Sequence, residues 1–593
     1  MACLWHSRPP PPSLHFTSGT SFAAALRNGP CRTVFCLCSA LAPLGLWPAT
    51  LAGVALLFWV VMRSKGWFTA GLSGLAFGTG MFAVSLNWIA ASFTYQSAMD
   101  PALGWVTVVG LSLFLALYVA VPAALAALAR EPEARVLLLA ALWLPAEWLR
   151  GTLLTGFAWN PLGIAWLAAP GLPQLAADVG GIGLTALMLA ASAGLVWLVV
   201  GPAPLNRLVG GAMLVLVGVG GLVGDGRITQ SGFLGAPVVI VQPGLDQAQR
   251  LADTELDAHL DTYLDLTRAA LRRVEENEQA ELPDVEIKEA NIENAPEIDS
   301  PLRPSTEKVD GQMNNRLAAG LAAPPPDAVA GGQAPSARRG ANTTTPTLVV
   351  WPEGAIDGLL ERDAALRARA ATALREGDVL ITGGTGTNPK TPATPYANSL
   401  FVLDKSGRIR GRYDKAHLVP LGEYVPWRDV LEPLGIARLV PGDSDFSAGP
   451  GARTIVLPGR FLGMAPVICY EIAFPSAVVD NSERPAFITN ISNDAWFGAW
   501  GPPQHLAQAR LRAIEEGLPI LRATTNGVSA VIDGHGRLVG RSLGHGAETV
   551  ITTLPPPLPA PAFTQGGGSV AMLFGLLLLA LALFLERDRF RRG

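Results

Sequence analysis

Beyond residue 38 this 593-residue chain carries one cysteine. Cys469 closes the apolar run Val467-Ile468-Cys469, and Tyr470 and Glu471 follow it. A lone thiol where a strand ends is a candidate nucleophile. The alternative is a small buried apolar side chain, the usual state of a free cysteine. Two other stretches set a reactive group just past an extended run. In Val349-Val350-Trp351-Pro352-Glu353 a β-branched strand runs into a proline turn with a carboxylate at its end. In Tyr413-Asp414-Lys415 an ammonium takes that place, and the chain continues through Glu423 to Pro426. α/β sheets build their sites at this strand edge.

Those three residue types complement one another. A thiol must lose its proton to attack a carbonyl, and the Glu353 carboxylate can take it. A carboxylate alone disfavours a nearby thiolate by like-charge repulsion. The Lys415 ammonium offsets that and keeps the thiolate accessible, and it can stabilise the oxyanion of a tetrahedral intermediate. Glu353, Lys415 and Cys469 together form an acyl-transfer set. Glu423 reads as a structural ion-pair partner of Lys415. Tyr470 and Glu471 flank the nucleophile, Glu471 in support or simply solvated. His417 and His505 read as satisfied structural histidines. Asn493 to Gly498 reads as a turn supporting the site or as a direct contact, and Trp496-Phe497 could line an acyl groove. No motif points to a metal or nucleotide.

Composition shows what must hold the set in place. Half the residues are hydrophobic and 16% are charged, against roughly 25% charged in a soluble domain. The net charge of −4 gives no sign of nucleic-acid binding. Residues 1–30, with Pro9 to Pro12 in a row, read as a disordered tail. Seven apolar segments follow, near 33–47, 49–63, 68–92, 104–129, 135–149, 180–200 and 207–224, and an eighth lies near 569–585. A bilayer core needs about 20 apolar residues per helix. Arg27, Arg32, Arg63, Lys65, Arg130, Arg135 and Arg207 alternate with a loop, Tyr95 to Pro101, that has no Lys or Arg. By the positive-inside rule both termini face the cytoplasm and the long segment 226–568 faces the periplasm. Arg150 and Arg227 run mildly against that pattern. The loop from Leu149 to Pro161 reads as an interfacial anchor or a lipid contact.

Residues 226–568 read as an α/β domain. Strands are predicted at Pro237–Val241, Thr347–Trp351, Val379–Thr382, Ala486–Ser492 and Ser529–Ile532. A hairpin is predicted where Leu400–Leu403 and Arg408–Tyr413 flank Lys405-Ser406-Gly407. Helices are predicted at Leu251–Val274, at Arg362–Arg375 and from Gln504 to a stop at Gly517. Residues 275–346, rich in Glu, Pro, Ala and Asn, read as a disordered insertion.

The ordered set of motifs resembles the nitrilase (carbon–nitrogen hydrolase) superfamily and, with the apolar segments, its apolipoprotein N-acyltransferase family. The runs that carry it are Trp351-Pro352-Glu353, Lys415 to Pro426, Cys469-Tyr470-Glu471, Ser492 to Gly498, Gln504-His505 and Thr525-Asn526-Gly527-Val528. They cover the chain from about residue 33 to its end, outside 275–346. The resemblance implies about eight membrane spans joined to an αββα sandwich, with 569–593 as the last span and a basic cytoplasmic tail. It implies Glu353 as general base, Lys415 as oxyanion stabiliser, Cys469 as nucleophile, and supporting roles for Glu423, Tyr470 and Glu471. It implies a phospholipid acyl donor, diacylated apolipoproteins as acceptors, the bilayer as surroundings and no cofactor. A membrane-tethered amidase with the same triad is the alternative. Two stretches depart from the family pattern: Arg250-Leu251, where a Trp is common, and the Pro-rich segment 553–562.

Overall fold

The computed structural model describes residues 44–95, 100–228, 232, 234–250, 256–279, 345–388, 394–431, 433, 444–459 and 461–592. The expected tail at 1–30, most of the segment at 33–47, most of the insertion at 275–346, and Leu251 lie outside the described residues.

Among the described residues six long helices precede the α/β region: α1 (Trp47–Arg63), α2 (Trp67–Ser85), α3 (Ala102–Ala126), α4 (Pro132–Thr152), α5 (Ala176–Val200) and α6 (Pro204–Asp225), with a short one at Trp88–Ser92. Five stretches among the described residues are long and apolar enough to cross a membrane: Trp67–Ser85, Ala102–Ala126, Leu172–Val200, Pro204–Asp225 and Gly568–Arg587. The eight expected spans are therefore not all found. The segment expected at 49–63 is a 17-residue helix, short for a bilayer at about 1.5 Å per residue. The segment at 135–149 lies inside α4, which also carries Glu133, Arg135, Glu147 and Arg150.

One face of α3 is open, with Trp105, Val106, Val109, Leu113, Phe114, Leu117, Val121 and Leu125 exposed, while Val108, Leu115, Ala116, Val119 and Ala123 are buried. An apolar open face is what lipid contact requires. The buried face meets α2 through glycine: a Cβ at Gly78 would come within 2.8 Å of the Ala116 Cα. Small residues four apart allow this backbone approach, the usual basis of helix pairing in membranes.

Among the described residues thirteen strands build two sheets. The first runs β13 (Glu548–Thr553), β1 (Pro237–Gln242), β2 (Leu348–Val350), β4 (Val379–Thr387), β5 (Tyr396–Asp404), β6 (Ile409–Asp414), with β3 (Ile356–Leu359) paired to β4. The second runs β12 (Leu538–Arg541), β11 (Ala530–Ile532), β10 (Ile520–Thr524), β9 (Phe487–Ser492), β8 (Gly463–Ile468), β7 (Ile455–Val456). The central pairs β1–β2, β2–β4, β8–β9 and β9–β10 are parallel, and antiparallel strands close the edges. The hairpin expected around Lys405-Ser406-Gly407 is the β5–β6 pair.

Side chains alternate across each strand, and the cores sort by that alternation. From β1, Val238 and Ile240 join Leu348, Val350, Ile381, Val402, Met464, Ile468, Ile491 and Val531 in one cluster fed by both sheets. Val239 and Val241 point the other way, into a cluster with Leu260, Tyr263 and Leu264 of α7 (Leu256–Gln279) and Ala370 and Ala371 of α8 (Ala364–Ala371). On the second sheet Val467, Ile488 and Ile520 turn outward onto Ala509 and Ala513 of α9 (Gly501–Glu516). The layers are thus helix, sheet, sheet, helix, the nitrilase sandwich. α8 is shorter than the helix expected at Arg362–Arg375. Asp363 caps its start by accepting from Leu366 N–H.

After β13 the chain re-enters the helical bundle as α10 (Gly568–Arg592). The stretch from Leu149 to Pro161 divides: Leu149, Leu153 and Leu154 are exposed, as a lipid contact or interfacial anchor requires, and its second half turns inward. Arg150 and Trp159 are buried, Trp159 to 1% exposure. Arg150 donates to the carbonyls of Phe157 and Trp159 at 2.7 and 2.8 Å.

Candidate active site

Glu353 is placed by a strand that cannot continue. β2 is wholly buried, and Pro352 then removes the next donor a ladder would need. Trp351 pins the turn: its indole donates to Thr267 Oγ1 at 3.0 Å and its ring stacks on Tyr263 at 5.0 Å. Opposite lies Gly383 of β4, where a Cβ would come within 2.5 Å of the Gly354 nitrogen, so only glycine admits the turn. The Glu353 carboxylate accepts from Asn493 N–H at 2.8 Å through Oε2 and from Asn398 Nδ2 at 2.7 Å through Oε1.

Lys415 follows the last residue of β6, and its backbone N–H donates to the Asn398 carbonyl at 2.8 Å. The side chain is 1% exposed. Its Nζ lies 3.0 Å from Glu423 Oε1 and 3.5 Å from Glu353 Oε1. Burial works against its charge, but Glu423, then Glu353, outweigh it and hold the ammonium above its ordinary range. Lys415 thus stays protonated. Glu423 also accepts from Asn398 Nδ2 at 2.7 Å and Val419 N–H at 2.8 Å.

Cys469 stands between β8 and a 3-10 turn, Cys469–Ala473, with φ at 52°. A non-glycine residue in that region is strained by about 1 kcal/mol or more and persists where its surroundings over-determine it. Glu471 supplies part of that. It is buried rather than solvated. One of its oxygens accepts from Ile468 N–H at 2.8 Å. The other accepts from Tyr413 Oη, Ala416 N–H and His417 N–H at 2.8, 2.7 and 3.0 Å. One carboxylate thereby ties the nucleophile's turn to the Lys415 segment. Burial, followed by Glu353, pushes the Cys469 thiol up, against Lys415 and a hydrogen bond with Ser492. The balance of these effects favours a resting thiol, with the Glu353 carboxylate at hand to take its proton.

All six expected residues meet here, and the structure adds others. Asn398 ties Glu353 to Glu423, and its signal was an Asn-Ser pair just before the apolar run Leu400-Phe401-Val402-Leu403. Asp494 and Arg522, both fully buried, pair at 2.6 Å behind the site, and Arg522 betrayed itself as a charge within the run Ile520-Leu521-Arg522-Ala523. His417 packs on Phe474 at 3.7 Å. The bundle and the loop after α4 reach the site through aromatics. Trp159 stacks on Tyr470 at 6.2 Å, Phe497 packs on Trp88 at 4.7 Å, and the Trp159 indole donates to Gln504 Oε1 at 2.8 Å. Among the described residues no group of His, Cys, Asp and Glu is arranged to hold a metal.

Known proteins share both halves. Residues 34–194 match the family profile of the apolipoprotein N-acyltransferase N-terminal domain, and residues 333–557 that of carbon-nitrogen hydrolases. The chain is 32% identical to an apolipoprotein N-acyltransferase of Bradyrhizobium diazoefficiens over 562 residues, 92% of each chain. It is 33% identical to that of Allorhizobium ampelinum over 87% of each, and 32% identical to that of Rhodopseudomonas palustris over 92% of this chain and 93% of the other. Among solved structures, an amidase from Nesterenkonia sp. AN1 aligns over 56% of this chain and 95% of its own, at 14% identity and a TM-score of 0.29. The protein is an acyltransferase with several apolar helices of membrane-spanning length, and the chain belongs to the apolipoprotein N-acyltransferase family.

Proposed function

We propose that the chain transfers a fatty acyl group from a membrane phospholipid to the α-amino group of the S-diacylglyceryl-cysteine at the N-terminus of apolipoproteins, through a thioester on Cys469. The observation that carries this reading is the buried Glu353–Lys415–Cys469 cluster joined to the helical bundle through Trp159 and Tyr470. Both substrates are lipid-anchored, so a site seated against membrane helices can receive them without lifting either from the bilayer.

The resting thiol gives its proton to Glu353 as its sulfur bonds to the ester carbonyl carbon. The carbonyl oxygen takes up the electron pair, and Lys415, already charged and buried, stabilises it. Collapse of this intermediate breaks the ester C–O bond. The lysophospholipid leaves with the proton held on Glu353, and Cys469 is left as the thioester. The lipoprotein amine then attacks the thioester carbon and yields a proton to Glu353. The second collapse breaks the C–S bond, forms the amide and returns the proton to sulfur. Glu423 and Asn398 hold Lys415 and Glu353 in register throughout. No external cofactor is required, since the ester is the activated donor. Water, at about 55 M in bulk, competes with the amine unless excluded. The seam of Trp88, Trp159, Tyr470 and Phe497 is apolar material for that exclusion.

The proposed setting is a bacterial inner membrane, with both termini cytoplasmic and residues 226–568 periplasmic, as the Arg and Lys distribution argues. The test is a reconstituted assay with phospholipid and a diacylated lipopeptide. Wild type should release lysophospholipid and N-acylated lipopeptide in equal amounts. Cys469→Ala, Glu353→Gln and Lys415→Ala should give neither while remaining folded. Activity in Cys469→Ala would overturn the assignment of the nucleophile.

A further inference from the structure

The peptide of the nucleophile is gripped from behind by a residue that the mechanism above does not use. His505, on α9, is fully buried. Its Nε2 lies 3.1 Å from the Cys469 carbonyl oxygen, and its Nδ1 lies 2.9 Å from Asp494 Oδ1. The ring is wedged against Trp159 at 5.3 Å and Phe497 at 5.6 Å. Asp494 is itself fixed. Arg522 donates to its Oδ2 at 2.6 Å and the Ser492 hydroxyl to its Oδ1 at 2.7 Å. Burial opposes its charge, but Arg522 and His505 hold its carboxyl down at about 2.

Both ring nitrogens of His505 face acceptors, so both contacts are hydrogen bonds when the ring carries both protons. Burial, then Arg522, hold the ring below its ordinary range against Asp494 and the Cys469 carbonyl, and a neutral ring protonated on Nε2 still donates to the Cys469 carbonyl. The consequence for the site follows from peptide geometry. In a planar trans peptide the C=O and the next N–H point in opposite directions. A donor that fixes the Cys469 carbonyl therefore also fixes where the Tyr470 N–H points. That N–H opens the 3-10 turn, where the first donors have no partner within the helix.

We propose that His505 is a positioning residue: by holding the Cys469 carbonyl it orients the Cys469–Tyr470 peptide and aims the Tyr470 N–H at the oxygen of the tetrahedral intermediate, beside Lys415. This rests on Cys469 being the nucleophile, not on the identity of the acyl donor. It also accounts for a strained φ at Cys469 that is held from both sides, by Glu471 through Ile468 N–H and by His505 through the carbonyl.

The test uses the full-length protein in detergent with p-nitrophenyl octanoate, an activated ester that acylates an accessible nucleophilic thiol whatever the natural donor. Misaligning one oxyanion donor should cost somewhat less than the roughly 10²–10³-fold loss on deleting one. His505→Ala and His505→Asn, whose amide matches Nδ1, should each slow acylation of Cys469 by about 30- to 100-fold. The half-saturating ester concentration should stay unchanged. His505→Gln, whose amide nitrogen matches Nε2 and can still reach the Cys469 carbonyl, should recover at least about 5-fold over His505→Ala. Alkylation of Cys469 by iodoacetamide develops no oxyanion and should change by less than about 3-fold in all three. Equal losses in the Gln and Asn variants, a parallel fall in alkylation, or wild-type acylation in His505→Ala would each overturn the proposal. If His505→Ala fails to fold, the Gln against Asn comparison decides alone. A wrong donor assignment shows differently: wild type would react with the activated ester and not with phospholipid.

Discussion

Asn398 offers a test in which charge and size predict opposite orders. Its Nδ2 donates at 2.7 Å to both Glu353 and Glu423, whose same oxygens face Lys415 Nζ at 3.5 and 3.0 Å. Two carboxylates and one ammonium leave this cluster with one net negative charge. Asn398→Ala removes two hydrogen bonds to charged acceptors, each contributing roughly 1.5–3 kcal/mol. Water can replace part of that, so a loss of about 3 kcal/mol in transition-state stabilisation is expected, about 10²-fold in the rate of Cys469 acylation. Asn398→Asp is nearly isosteric but puts a third carboxylate where a donor stood. At about 4 Å and an effective dielectric near 20, each like pair costs on the order of 4 kcal/mol. The cluster must then bind a proton or displace Glu353 from the thiol. A loss of at least about 10³-fold follows. A packing argument ranks the two the other way, with the isostere milder. The assay is single-turnover acylation from phospholipid, followed by intact mass, on variants shown by thermal unfolding to be folded. An acylation rate in Asn398→Asp equal to or above that in Asn398→Ala would refute the account of the cluster.

Further predictions concern the seam with the bundle, the insertion and the topology. Glu515 of α9 accepts from Gly181 N–H at 2.6 Å, at a break in α5 where Gly180 leaves helical geometry. Burial pushes the Glu515 carboxyl from 4.5 up to about 7, against Arg512. The folded state therefore keeps a proton that the unfolded state has released. Stability from this group falls as pH rises from about 4.5 to about 7, by roughly 3 kcal/mol. Glu515→Gln keeps the acceptor without the titration, so its stability relative to wild type should rise over that range in denaturation titrations. An identical pH dependence in both proteins would refute the assignment. Replacing residues 275–346 by a short Gly/Ser linker should leave transfer largely intact, because that composition buries too little apolar surface to fold alone; a folded but inactive deletion protein would contradict this. Reporter fusions at residue 260 and at the C-terminus should fall on opposite sides of the membrane, and both on one side would overturn the topology.

What was legible in the sequence is what depends on neighbours in the chain. The ends of β2, β6 and β8 could be read because a β-branched run, a proline or a hairpin signal marks each locally, and the reactive residue follows at once. Long-range pairing left no such mark. β13 closes the first sheet against β1, some 300 residues earlier, with Val550 opposite Ile240. A buried charge within a helix is equally unmarked. α4 carries Glu147, and nothing nearby in sequence shows that Thr185 Oγ1 donates to it at 2.6 Å from another helix. His505 was read as structural because a lone histidine beside a complete triad needs no catalytic role. Only the fold brings its ring to the Cys469 carbonyl. Glu471 was left open between support and solvent, and four donors from two segments settle its burial.

The measurement that bears most directly on the central claim is the mass of the protein after mixing with phospholipid alone. A transferase must shield its acyl-enzyme from water until the amine arrives, whereas a hydrolase must admit water to turn over. The account predicts an adduct of fatty-acyl size on Cys469 with release of lysophospholipid. Neutral hydroxylamine should remove the adduct, Cys469→Ser should lack the thioester, and diacylated lipopeptide should discharge it as the N-acyl product. Steady release of free fatty acid, with no adduct and no transfer to the lipopeptide amine, would contradict it and mark the site as that of a membrane-tethered hydrolase.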